Sequence, residues 1–171
     1  MKMISLPDNE VLYELLDYDP NTGVFKWKKF RGGTANVGSI VNNITSTGYN
    51  KICVNGRQYQ AHRIAYKMVH KCDPDGILDH IDGDTTNNRI ANLRVASSKQ
   101  NQGNSKIPRH NTSGLKGVSW SKKSGKWAAQ INRGDKKIWL GAYDDKNDAH
   151  QAYMKAAIEH FGEFANSGEG L

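Results

Sequence analysis

Residues 77–101 read ILDHIDGDTTNNRIANLRVASSKQN. ILDHI, at 77–81, has the apolar, branched character of a short strand. Asp82-Gly83-Asp84-Thr85-Thr86-Asn87-Asn88 is turn chemistry throughout. NLRVA, at 92–96, returns as a second strand. Ser97 and Gln100 then stand at the spacing of a capping box, which opens a helix. The stretch therefore predicts strand, loop, strand and helix in succession. Along it lie a carboxylate (Asp79), an imidazole (His80) and two amides (Asn92 and Asn101). A carboxylate holds hard divalent cations, and an imidazole takes a proton from water near neutral pH. A regular strand points Asp79 and His80 to opposite faces, so a bulge or twist is expected if both serve one phosphate. A calcium loop is a poor reading, because its bidentate glutamate is missing. Taken singly, each of these residues is ordinary turn or surface polarity; the order and spacing carry the signal.

Upstream, Pro7 and the stripe Val11, Leu12, Leu15, Leu16 predict a helix over 7–16. The run 19–23 (DPNTG) reads as a turn, and VFKWKK as a strand. Asn55-Gly56 lies between YNKICV and RQYQAH, a two-residue hairpin signal. A small antiparallel sheet is expected over 19–61. HRIAYKMVHK, at 62–71, predicts a helix with Ile64, Ala65 and Met68 inward.

Downstream, 102–113 is polar and reads as a linker. KGVSW, KWAAQIN and KKIWL are three short strands. A helix over 145–160 carries Ala149, Ala152, Tyr153, Ala156 and Ala157 on one face. Alternation puts Trp127, Ala129 and Ile131 on one side of the middle strand, and Lys126, Ala128, Gln130 and Asn132 on the other. In the third strand it sends Ile138 and Leu140 inward, Lys137 and Trp139 outward.

The chain has 171 residues and a formal charge of +7, which suits one domain or two small ones and an anionic partner. Residues 113–140 hold seven Lys/Arg against one Asp; residues 141–171 hold two Lys against six Asp/Glu. That asymmetry predicts a directed nucleic-acid face. Cys53 and Cys72 fit no zinc spacing, so no structural zinc is expected, and both read as reduced, buried thiols. No long apolar run marks a signal peptide or membrane span, so a protein of the host cytosol is expected.

AHRIAY, LDHIDGDTTNNRIANLR and SSKQN together resemble the HNH nuclease family, in its phage homing branch with two asparagines. The signature positions are His80, Asn92 and Asn101, over about a quarter of the chain. The resemblance implies a ββα-metal core in which His80 is the general base. It makes Asp79 and Asn101 the metal ligands and Asn92 a brace of the catalytic loop. Such a sparse donor set implies Mg²⁺ or Mn²⁺. His62 and Arg63, on the preceding helix, are candidate phosphate contacts.

LKGVSW, GKWAAQI, KIWLGAYDDKNDAHQAY and FGEFAN resemble the DNA-binding domain of the Apetala-two/ethylene-response-factor family. That implies a three-stranded sheet laid in a DNA groove with the helix behind it. Gln130, Arg133, Lys137 and Trp139 are the candidate DNA contacts. Lys116, Ser119 and Ser121 stand where that family's first strand has arginines. Lys116 joins the candidates, with Trp120 as a compensating contact.

The expected protein is α+β. Residues 1–61 form a β-rich region, 62–104 the nuclease core, 105–112 a linker and 113–167 the reading domain. It is expected to bind double-stranded DNA as a monomer and to nick one strand at a preferred sequence. The alternative is a sequence-specific DNA-binding regulator with an inactive nuclease core.

Overall fold

The computed structural model describes residues 5–33, 35–108, 110–134 and 136–168; Arg109, within the expected linker, lies outside these. The chain divides into two compact units, 1–95 and 96–171.

The first unit opens on helix α1 (Asn9–Leu15), with Glu10 in its first turn, where the helix dipole favours a carboxylate. Pro7 precedes the cap residue Asp8 rather than starting the helix. The chain leaves α1 directly into strand β1 (Leu16–Asp19), which pairs antiparallel with β2 (Val24–Trp27). A second hairpin pairs β3 (Lys51–Val54) with β4 (Arg57–Gln60). Its turn is Asn55-Gly56, with both φ angles positive (51° and 78°), as a primed hairpin turn requires. The single sheet expected over 19–61 is thus two separate hairpins. Helix α2 (Ala61–His70) follows, burying Ala61, His62, Ile64, Ala65 and Met68, and stops at Lys71 in the left-handed region. Leu12, Leu16, Phe25, Ile52, Val54 and Ile64 form the fully buried centre of this unit.

Strands β5 (Ile77–His80) and β6 (Leu93–Ala96) pair with each other. Asn92 is not the first residue of β6; it closes a 3₁₀ turn, Ile90–Asn92. The loop before that turn is seated on the β1–β2 turn. Ile90 N donates to Pro20 O at 3.1 Å. Gly23, at φ +74°, approaches so closely that a Cβ there would lie 2.5 Å from Arg89 N. Only glycine satisfies both the φ and the approach.

The second unit begins with α3 (Ser98–Gly103), whose capping box between Ser97 and Gln100 forms as expected. Strands β7 (Val118–Ser121), β8 (Lys126–Arg133) and β9 (Lys136–Tyr143) make an antiparallel sheet in the order β7-β8-β9. Helix α4 (Lys146–Phe161) packs on it, capped by Asp145, whose Oδ1 accepts from Asn147 N at 2.6 Å. Its buried residues Ala149, Tyr153, Ala157 and Phe161 recur every four positions, one stripe facing the sheet. A bulge falls between Ala129 and Gln130, so that Gln130 pairs with Trp139 and Ile131 with Ile138. Among the described residues no helix is long and apolar enough to cross a membrane.

Two sequence-based expectations fail here. Cys53 and Cys72 are exposed: Cys53 alternates with inward Ile52 and Val54 on β3, and Cys72 follows the left-handed end of α2. Ile138, although its partner Ile131 is buried, remains 36% exposed.

Candidate active site

All of β5 beyond Ile77 is buried, so Leu78, Asp79 and His80 meet protein on both faces of the strand. The two side chains meet different neighbours. Asp79 Oδ2 accepts from Arg94 Nε on β6 at 3.0 Å, and Arg94 Nη2 stands 3.0 Å from the same oxygen. The His80 ring, 4% exposed, packs edge-on against His62 with centroids 4.9 Å apart, and near Tyr49 at 6.1 Å. Its Nε2 lies 3.5 Å from Asn88 Oδ1. Burial pushes the His80 imidazole below its ordinary value, against the upward pull of Asn88, Asp82, Asp79 and Asp84. The ring is therefore neutral at pH 7, the state in which an imidazole accepts a proton.

Asn92 clamps the loop after His80. Its Oδ1 accepts from Asp82 N at 3.1 Å, and its Nδ2 donates to Asp82 Oδ1 and to Asn87 O, each at 2.9 Å. Its backbone carbonyl accepts from Ile81 N at 2.9 Å. Asn92, expected from the resemblance to be a brace, thus bonds across the loop. Its partner, Asp82, was not singled out from the sequence. Burial pushes Asp82 up, but the amides of Asn92 and Asn87 and the Asp84 N–H outweigh it, leaving Asp82 below the usual carboxylate range. Asn88 was also missed. It is 2% exposed, and its carbonyl accepts from the Tyr18 hydroxyl at 2.7 Å. The Asp-Gly-Asp and Asn-Asn spacing was the available signal, and it reads equally well as plain turn chemistry.

His62, a candidate phosphate contact, is buried instead. Burial, followed by the charges of His80 and Arg63, pushes its pKa down to about 3. A neutral ring packed beneath His80 is not a surface cation, and the phosphate role is corrected on that ground. Arg63, next to it on α2, is half-buried. Asn101 lies on α3, in the second unit, half-buried, with its N–H on Ser97 O at 3.0 Å.

On the sheet of the second unit, Gln130 and Asn132 pair with Trp139 and Lys137, so these four side chains share the face away from α4. Trp139 is 58% exposed, and Lys137 and Arg133 are exposed. Trp120 does not join them. It pairs in register with Trp127, which packs on the α4 side, and the two rings stand at 5.0 Å. Lys116 is the second correction. It is buried, and its ammonium donates to Gly103 O at 2.7 Å, so it is not presented to DNA.

Among the described residues no three His, Cys, Asp or Glu side chains gather around one point. Asp79 lies in the first unit and Asn101 in the second; an ion of the Mg²⁺ kind keeps several waters and needs few protein donors.

Residues 59–102 match the family model described as HNH endonuclease. Residues 113–163 match the model of the AP2 domain. Over 54 residues the chain is 50% identical to Protein 3.8 of Escherichia phage T7; the match covers 32% of this chain and 45% of that protein. A solved structure described as DNA binding and cleavage by the HNH homing endonuclease I-HmuI aligns at 23% identity, over 51% of this chain and 49% of that one, with a TM-score of 0.36. The chain thus spans less than half the length of each of these relatives. Two family models thus match one chain: its middle is similar to HNH endonucleases and its C-terminal part to AP2 domains.

Proposed function

We propose that this chain is a site-preferring, metal-dependent DNA endonuclease of the homing type that nicks one strand per monomer. The observation that carries the reading is His80: a neutral, buried imidazole at the end of β5, followed by a loop that Asn92 and Asp82 clamp. In the proposed reaction His80 takes a proton from the attacking water. Asn92 holds the backbone after His80 and so aims the ring. Asp79 and Asn101 would hold a divalent ion, Mg²⁺ or Mn²⁺, which stabilises charge developing on the phosphate and leaving oxygens. Arg94 orients the Asp79 carboxylate through Oδ2. Residues 62–104 act as the nuclease core. Residues 113–167 read double-stranded DNA through Gln130, Lys137 and Trp139, with Arg133 at the hairpin end. Residues 1–61 add a β-rich region, and 105–112 link core to reader.

The test is a supercoiled plasmid incubated with Mg²⁺ and either wild type or His80→Ala. Relaxation by wild type alone, with equal binding by both, supports the reading. A second reading draws on the ion pair that occupies Asp79: a DNA-binding regulator whose core is inactive. It stands if wild type binds the plasmid and never nicks it in Mg²⁺ or Mn²⁺.

A further inference from the structure

Helix α3, which carries Asn101, has six residues. A helix so short does not hold itself in water. Several of its fastenings lie within its own unit. Gly103 abuts Phe161 and Phe164 so closely that a Cβ would fall 2.6 Å from Phe161 Cγ and 2.9 Å from Phe164 O. Asn166 Nδ2 donates to Asn104 Oδ1 at 2.9 Å. The Lys116 ammonium stands 2.7 Å from the carbonyl of Gly103, the last residue of the helix. A helix C-terminus leaves its carbonyls without intrahelical partners and carries partial negative charge, which a cation completes. Lys116 is itself pinned to α4: its carbonyl lies 3.1 Å from His150 Nδ1, and Gly117 beside it is covered by the Tyr153 ring. Burial pushes the ammonium down to about 8. A desolvated cation is an unfavourable space-filler where an apolar chain would pack; its particular contribution is the directed bond to that carbonyl.

We propose that Lys116 is a positioning residue: by binding the terminal carbonyl of α3 it fixes the helix bearing Asn101 to the frame of the β7–β9 sheet and α4. The proposal rests on the nuclease reading, in which Asn101 is an ion ligand. Losing the tie lowers chemistry without lowering DNA affinity.

The experiment compares full-length wild type, Lys116→Met, which keeps the aliphatic stem, and Lys116→Arg, which restores a donor. Three quantities are read: amide hydrogen exchange of residues 101–104 and of β8, duplex affinity without divalent ion, and nicking rate against Mg²⁺ concentration. In Lys116→Met, exchange at 101–104 accelerates while β8 stays protected, affinity is kept, and half-saturating Mg²⁺ rises by about tenfold. Lys116→Arg recovers most of the Mg²⁺ response. Unchanged exchange at 101–104 overturns the proposal. So does acceleration in β8 as well, which makes Lys116 a general fold residue, or a parallel loss of affinity, which makes it a DNA contact. Local loosening with an unchanged Mg²⁺ response overturns it too. If wild type never nicks, the nuclease reading fails instead, and the exchange data alone decide whether Lys116 holds α3.

Discussion

The loop after β5 and the outer face of β8–β9 are both polar, but they differ in how their side chains are committed. At the loop, Asp79, His80, Asp82, Asn88 and Asn92 each have an identified protein neighbour within the first unit. On the sheet, Lys137 and Trp139 project into solvent, and Gln130 lies half-buried beside them. Interior polar groups without partners are strongly destabilising, so a buried site must be held by its own hydrogen bonds. Surface groups are stable either way and are left available to a ligand. The first arrangement suits chemistry, which needs fixed geometry; the second suits recognition, which needs unspent donors.

That contrast is most directly broken at His80. His80→Ala is expected to lower nicking by about 10³-fold, with duplex affinity unchanged in a gel-shift titration. A parallel loss of affinity would move His80 from chemistry to binding. The next effect is at the brace. Asn92→Ala removes three side-chain hydrogen bonds and leaves partners at Asp82 and Asn87, so the first unit should lose about 3 kcal/mol. Urea unfolding followed by Trp27 fluorescence, with the tryptophans of the second unit replaced, reads this. A loss below about 0.5 kcal/mol would show the loop to be as uncommitted as the sheet face.

A smaller effect comes from His62. Its pKa falls from the ordinary histidine value of 6.5, which the unfolded chain keeps, to about 3 in the folded chain. Below pH 6.5 the unfolded chain binds a proton that the native chain does not, so stability is full above 6.5 and falls as the pH drops toward 3. At pH 4.5 the loss amounts to about 2–3 kcal/mol. His62→Phe should flatten this part of the curve between pH 7 and 4.5. An unchanged acid sensitivity would show that the ring is not buried neutral. The smallest effect belongs to the sheet. Trp139→Ala is expected to change stability by less than about 0.5 kcal/mol while reducing preference for the cognate duplex by about tenfold. Trp120→Ala should leave that preference intact, because Trp120 pairs with Trp127 on the helix side.

Much of this is legible in the sequence. The Asn55-Gly56 turn, the Ser97/Gln100 box and the four-residue stripe on α4 all depend on neighbours a few positions away. Alternation likewise sent Gln130, Lys137 and Trp139 to one face, and the bulge at Ala129/Gln130 did not disturb it. The candidate site was legible in part. His80 and Asn92 stand out from their motif, whereas Asp82 and Asn88 looked like generic turn residues. Lys116 was misread because a lysine preceding a strand is ordinarily solvated. His62 was misread because a histidine beside an arginine gives no sign of which way α2 will turn.

By itself the sequence determined the local order of strand, loop, strand and helix, the hairpin and caps, and which chemical groups occur on that framework. Each follows from φ/ψ preference and periodicity, which act over a few residues. Tertiary structure alone decided that Arg94 meets Asp79, that His62 lies under His80, that both cysteines face water and that Lys116 ends on the carbonyl of Gly103. Those outcomes turn on which surfaces of separate elements become covered, and burial, unlike periodicity, is a property of the assembled chain.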